Sequence, residues 1–272
     1  MIRESVHCFG PGDILTGILA QSEAPRSISV VILNSGLMHH VGPYRMFVDL
    51  SREIAAQGMP VLRFDLSGLG DSLMRDDALS ERDRIVADIR AALDFMEKQF
   101  NCRRFILVGL CSGADNAHWA ALDEKRIVGA VMMDGPGYPN AHFKLAHYLP
   151  RLFKWSTWRN KFRRLLPAGR EEAVQAPKPE VFVRPFPPRE QAEREIGSMV
   201  ARGMKLLYLY TGGVDYFNHA SQFKENFPSL SVNQPNSSIE VKFNREYSHT
   251  YSDLRHRRQM FDSVLSWLQR IT

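Results

Sequence analysis

The sequence predicts an α/β fold: a mostly parallel, eight-stranded sheet with helices on both faces. Three observations carry this reading. Short apolar runs at 28–33, 60–65, 104–108, 127–134 and 204–210 have the length of buried strands, and several are separated by stretches of helical periodicity. The chain of 272 residues is 44% hydrophobic and 24% charged, which suits a core of one large domain or one domain with an insertion. The residues able to do chemistry fall in loops that follow strands, and a parallel sheet collects such loops at one edge.

The elements follow in order. Residues 6–9 and 14–19 are two short strands joined by the turn Gly10-Pro11-Gly12-Asp13. The third strand, 28–33, runs into a loop that starts Asn34-Ser35-Gly36-Leu37-Met38-His39-His40. A helix over 44–57 places Phe47, Leu50, Ile54 and Ala55 near helical spacing, and Gly58 stops it. Strand 60–65 precedes a Gly-rich loop, 66–72. Ser80-Glu81-Arg82-Asp83 reads as a capping box, opening a helix with Ile85, Ile89, Ala92, Leu93 and Met96 on one face. Strand 104–108, a tight turn and a helix over 114–122 come next, then strand 127–134. The alternation resumes with strand 204–210, a last strand at 239–243 and a closing helix over 251–271.

Between them, residues 136–203 break the pattern with prolines and scattered aromatics. They are expected to form a cap inserted between two parts of the core, 1–135 and 204–272. Net charge is +5, yet the stretch from Lys144 to Arg170 holds eight basic residues and no acidic one, so the remainder is near −3. The basicity therefore concerns the cap's own surroundings. Three readings follow: a solvated face above the site, a surface for an acidic carrier such as coenzyme A or an acyl carrier protein, or a helix lying on a membrane surface. Nucleic acid is not expected, because no binding module accompanies the charge.

The turn is Gly109-Leu110-Cys111-Ser112-Gly113. Strand, Gly-flanked turn and helix form the setting of a nucleophile elbow, with Cys111 at its centre. Glycine is required two residues either side because a Cβ there would strike backbone. Centring the turn on Ser112 would put Leu110 and Ala114 at those positions, which disfavours Ser112 as nucleophile. A thiol at a helix N-terminus is shifted towards thiolate. The base is expected at His249, between the last strand and the closing helix. The acid is expected at Asp215, after strand 204–210, with Asp134 at the end of strand 127–134 as the second candidate. For the oxyanion, the Ser112 N–H and the Leu37 N–H are the expected donors, with Met38 N–H behind Leu37. Met38 and His39, with Trp155 and Trp158 of the cap, are expected to line the substrate.

No cofactor or metal is expected. Gly68-Leu69-Gly70 lacks the third glycine of a dinucleotide fingerprint, since position 73 is Leu73, and Cys8, Cys102 and Cys111 have no metal-ligand spacing. Unpaired cysteines suit a reducing compartment. No run of about 18 apolar residues and no apolar leader is seen, so a cytoplasmic location without a transmembrane segment is expected.

With Asn34-Ser35-Gly36, the run from Arg63-Phe64-Asp65 to Gly70-Asp71-Ser72, the elbow, Asp215 and Ser248-His249-Thr250 in place, the chain resembles the α/β-hydrolase superfamily over nearly its whole length. His40-Val41-Gly42-Pro43-Tyr44-Arg45 and the Gly-rich loop are also similar to the exosortase A system-associated hydrolases. Cysteine replaces the usual serine, a departure shared by dienelactone hydrolases and polyester synthases. The resemblance implies hydrolysis of a small-molecule ester or thioester through an acyl-cysteine intermediate. Transfer of the acyl group from coenzyme A or a carrier protein to another acceptor is the alternative. A hydrolase-like binding protein without catalysis is a third reading, and the full set of cysteine, acid and histidine argues against it.

Overall fold

The computed structural model of the chain describes residues 1–145 and 186–272. Eight strands make one sheet: β1 (Arg3–Phe9), β2 (Leu15–Gln21), β3 (Ser29–Ile32), β4 (Val61–Phe64), β5 (Phe105–Leu110), β6 (Ile127–Met133), β7 (Lys205–Thr211) and β8 (Ile239–Asn244). Their spatial order is β1-β2-β4-β3-β5-β6-β7-β8. The β1–β2 and β2–β4 pairings are antiparallel and all others parallel. Consecutive strands from β3 onward are parallel and need a crossover, so helices cover the sheet on two sides.

The described helices are α1 (Met46–Ala56), α2 (Glu81–Phe100), α3 (Ser112–Asp123), α4 (Arg189–Ala201), α5 (Gln222–Asn226) and α6 (Leu254–Ile271). Alternation along β5 explains the two cores. Phe105 and Leu107 face a cluster with Ile89, Leu93 and Met96 of α2 and Ala117 of α3. Ile106, Val108 and Leu110 face the opposite cluster, with Phe47 and Leu50 of α1 and Phe261, Val264 and Leu268 of α6. A central strand apolar on both faces is what a doubly covered sheet requires. Each such fully buried side chain contributes roughly 1.5–3 kcal/mol.

Local signals explain the element ends. Ser80 caps α2, its side chain accepting from the Asp83 N–H at 3.2 Å, as the capping box predicts. Asp253 likewise caps α6, accepting from the Arg255 N–H at 2.7 Å. The first turn of the expected helix at 44 is instead a 3-10 turn, Pro43–Arg45, because Tyr44 and Arg45 both take positive φ before α1 begins at Met46.

The expected cap, 136–203, falls largely outside the described residues, and so do all but the first two residues of the basic stretch. Its last part is described. Helix α4 buries Ala192, Ile196 and Met199 in the core cluster beneath α3, making it part of the helical layer. Helix α4 thus lies within the bounds of the expected cap and precedes β7. Among the described residues no helix is long and apolar enough to cross a membrane.

Candidate active site

Register builds the site. Leu110 of β5 pairs with Met133 of β6, and Met133 pairs with Leu209 of β7. The residues just beyond those strands are Cys111 and Asp134, which therefore emerge side by side at the carboxyl edge. Two backbone bonds extend the pairing past the strand ends: the Cys111 N–H donates to the Met133 carbonyl at 2.9 Å, and the Asp134 N–H to the Leu209 carbonyl at 2.8 Å.

Both residues then turn sharply. Cys111 has φ 58° and ψ −122°, a region costly for a residue with a side chain, and it forms the N-cap of α3. The flanking glycines are required sterically. A Cβ on Gly109 would lie 2.1 Å from the Gly113 carbonyl oxygen, and one on Gly113 would lie 2.5 Å from the Asn34 carbonyl oxygen. Asp134 has φ 47° and a fully buried side chain.

His249 lies between β8 and α6. Its Nδ1 donates to Asp134 Oδ2 at 2.7 Å, since an ionised carboxylate can only accept. The Cys111 sulfur is hydrogen-bonded to the same imidazole. The Asp134 bond first and the Cys111 bond second raise the His249 pKa to about 9, against the opposing effect of burial. Asp134 is itself held by Thr211 at the end of β7, which donates its N–H to Oδ1 and its hydroxyl to Oδ2, both at 2.8 Å. The Tyr216 hydroxyl donates to the Asp134 carbonyl at 2.8 Å.

Asp215, the expected acid, is not with them. It is exposed in the turn beyond β7, and the ring nitrogen it would need is taken by Asp134. The physical reason is at the strand ends. Asp134 turns left-handed directly off β6, under the His249 loop, whereas the chain from β7 passes that point as Gly212-Gly213. A Cβ on Gly213 would lie 2.3 Å from the His249 backbone nitrogen. The carboxylate position is thus filled from β6, and β7 supplies the donors of Thr211.

The expected oxyanion residues lie beside the elbow. The Ser112 hydroxyl accepts from the Gly36 N–H at 2.7 Å, tying the loop after β3 to the first turn of α3. The Met38 N–H donates to the Ser35 carbonyl at 3.1 Å. The Leu37 side chain is exposed. Trp155 and Trp158 lie outside the described residues.

The neighbouring histidines have other partners. His40 is buried, its Nδ1 donating to Asp65 Oδ2 at 2.7 Å, while His39 Nε2 meets Asp71 Oδ2 at 3.0 Å. Asp65 also accepts from Asn34 Nδ2 and the His40 N–H, each at 2.7 Å, and from the Asp71 N–H at 3.1 Å. Burial opposes its charge, but the bonds from His40, Asp71 and Asn34 bring its pKa below the ordinary value. Asn34 Oδ1 in turn accepts from the Leu66 N–H at 2.8 Å. This buried frame holds the loops after β3 and β4 together. Asn34 and Asp65 stand out in the sequence, but nothing local to either marks this bracing role. Thr211 and Tyr216 carry no signal in the sequence, because no local motif marks a second-strand donor.

Residues 25–180 match the family model described as serine aminopeptidase, S33. No curated protein sequence matches. Among solved structures, an esterase from Pyrococcus furiosus is similar with a TM-score of 0.61 at 15% identity, covering 99% of this chain and 91% of its own. A dienelactone hydrolase from Anabaena variabilis aligns with a TM-score of 0.60 at 12% identity over 99% and 98%. An α/β serine hydrolase homologue from Coxiella burnetii gives 0.58 at 14% over 98% and 97%. At such identities the likeness shows the α/β-hydrolase fold.

Proposed function

The chain belongs to the serine aminopeptidase S33 family of α/β hydrolases, and from that premise we propose that it hydrolyses an ester or thioester through an acyl-cysteine intermediate on Cys111. One observation carries the reading: His249 is hydrogen-bonded to both Asp134 and Cys111. Asp134 fixes the Nδ1 tautomer, and Nε2 is the nitrogen left to serve the thiol.

The residues support a thiolate–imidazolium pair. With a pKa near 9, His249 is protonated at neutral pH, which suits a cysteine enzyme better than a base that must stay neutral to deprotonate serine. The thiolate sulfur attacks the acyl carbonyl, and the carbonyl oxygen takes the electron pair, accepting hydrogen bonds from the Ser112 and Leu37 N–H groups. Collapse breaks the bond to the leaving alcohol or thiol, which takes the Nε2 proton of His249. Water then attacks the acyl-cysteine, giving its proton to His249, and release of the free acid restores the pair. Ser112 is a weaker nucleophile candidate, since its hydroxyl is engaged by the Gly36 N–H.

Intact mass spectrometry after incubation with activated esters and acyl thioesters tests this. The wild type should gain one acyl mass, and Cys111→Ala should gain none. An adduct that persists in Cys111→Ala and vanishes in Ser112→Ala would move the nucleophile to Ser112. Adding an alcohol or amine acceptor separates the outcomes further: free acid as the main product supports hydrolysis, and acylated acceptor supports transfer.

A further inference from the structure

We propose that His142, His219 and Glu225 form a binding site for one divalent transition-metal ion of the zinc class, separate from the Cys111 site. The ligand atoms of the three residues lie within 4.8 Å of one another. His219 Nε2 is 3.0 Å from Glu225 Oε2, and His142 Nδ1 is 3.4 Å from Glu225 Oε1. Tetrahedral zinc with bonds of about 2.0–2.1 Å sets its ligand atoms roughly 3.4 Å apart. Two imidazoles and a carboxylate, with a fourth position open to water, are a donor set suited to zinc and its neighbours.

The hydrogen bonds around His219 favour a cation. Asn218 Nδ2 donates to the Phe143 carbonyl at 3.1 Å, which orients the amide and turns Oδ1 towards His219 Nδ1, 2.7 Å away. Nδ1 therefore carries a proton, and the neutral ring offers a lone pair on Nε2. That lone pair faces a carboxylate oxygen, an arrangement needing positive charge between them. The His142 ring lies with its centroid 4.0 Å from that of His219, tilted at 41°, so a second imidazole faces the same carboxylate. One shared divalent ion would satisfy both imidazoles and the carboxylate together. Glu225 is held in place for ligation: its Oε1 accepts from the Ser221 hydroxyl at 2.6 Å and its Oε2 from Asn140 Nδ2 at 2.7 Å. The Asn218 bond on the far nitrogen of His219 is the outer-shell contact that orients a metal-binding imidazole.

His142 comes from the chain leaving β6 and His219 from the loop before α5, 77 positions later, so no sequence spacing announces the set. The ion would staple these two segments. The test uses the full-length protein, stripped with a chelator and titrated with zinc by calorimetry and with cobalt by visible absorption. One ion per chain is expected, with tetrahedral cobalt bands. His142→Ala, exposed and harmless to the fold, and His219→Ala should each weaken binding at least tenfold, and Asn218→Ala by about 10–100-fold. Absence of binding by the wild type would overturn the proposal. So would unchanged affinity in the His142→Ala, His219→Ala double variant, which would place the ion elsewhere, for example on Cys111.

Discussion

At the scale of single residues, one carboxylate decides how His249 behaves. Asp134 is fully buried and accepts from Thr211 twice and from His249 once. Asp134→Asn would present an amide that can donate to Nδ1 and favour the wrong tautomer, with an expected fall in turnover on the order of 10⁴-fold. Asp215→Asn should change it little, and steady-state kinetics on an activated ester compares the two. A pH dependence follows from the same pair. The folded-state pKa of His249 is raised from 6.5 to about 9, so its contribution to stability is complete below about pH 6.5 and declines as pH rises through 9. The gap in melting temperature between wild type and Asp134→Asn should therefore narrow over that window. A gap that widens would show that His249 is not held as the imidazolium. The acid also marks the limit of reading a sequence. Asp134 and Asp215 both satisfy the order nucleophile, acid, histidine, and both follow strands. The choice rests on the left-handed turn of Asp134 and on Gly213 passing under His249, neither of which leaves a local signature.

At the scale of elements, the elbow was legible because its requirements are steric and local. Glycine spacing, a preceding apolar strand and a following helix are all visible within residues 104–122. Its coupling to the loop after β3 was not visible, since the Ser112–Gly36 bond and the contact of Gly113 with the Asn34 carbonyl join segments some 76 residues apart. Helix α4 was missed for a related reason: its apolar face, Ala192, Ile196 and Met199, is thin and follows a Pro-rich passage. Gly113→Ala tests the coupling. Its Cβ would approach the Asn34 oxygen to 2.5 Å, so either the elbow or the oxyanion loop must move. Overpacking of this kind costs about 1–3 kcal/mol, readable as a lower denaturation midpoint. Acyl-adduct formation should fall much further than that loss of stability explains, because the shift displaces Ser112 and Gly36 together.

At the scale of the whole molecule, the site depends on holding loops from distant parts of the chain in one arrangement, and two buried charged groups do this. Asp65 closes the loop after β3 onto the loop after β4. Arg257 of α6 closes the other side: Nη1 donates to the Tyr44 carbonyl at 3.1 Å, while Nε and Nη2 donate to the Tyr251 carbonyl at 3.2 and 3.1 Å. Tyr44 lies at the end of the loop after β3, and Tyr251 lies two residues beyond His249. One guanidinium therefore ties the end of the loop after β3 to the chain just beyond the imidazole, across 213 positions of sequence. Arg257 is 7% exposed, so truncation would strand the carbonyl of the buried Tyr251, a cost of about 1–3 kcal/mol for an unsatisfied buried group. Lysine cannot restore the arrangement, since a single ammonium lacks the planar fork that reaches both carbonyls. Arg257→Lys should therefore keep most of the stability while lowering the acylation rate of Cys111, measured by single-turnover release of the leaving group. Alkylation of the thiol by a small reagent, which uses no oxyanion hole, should be nearly unchanged. If alkylation and acylation fell together, the Arg257 contact would be acting on the thiolate itself rather than on the spacing of the loops.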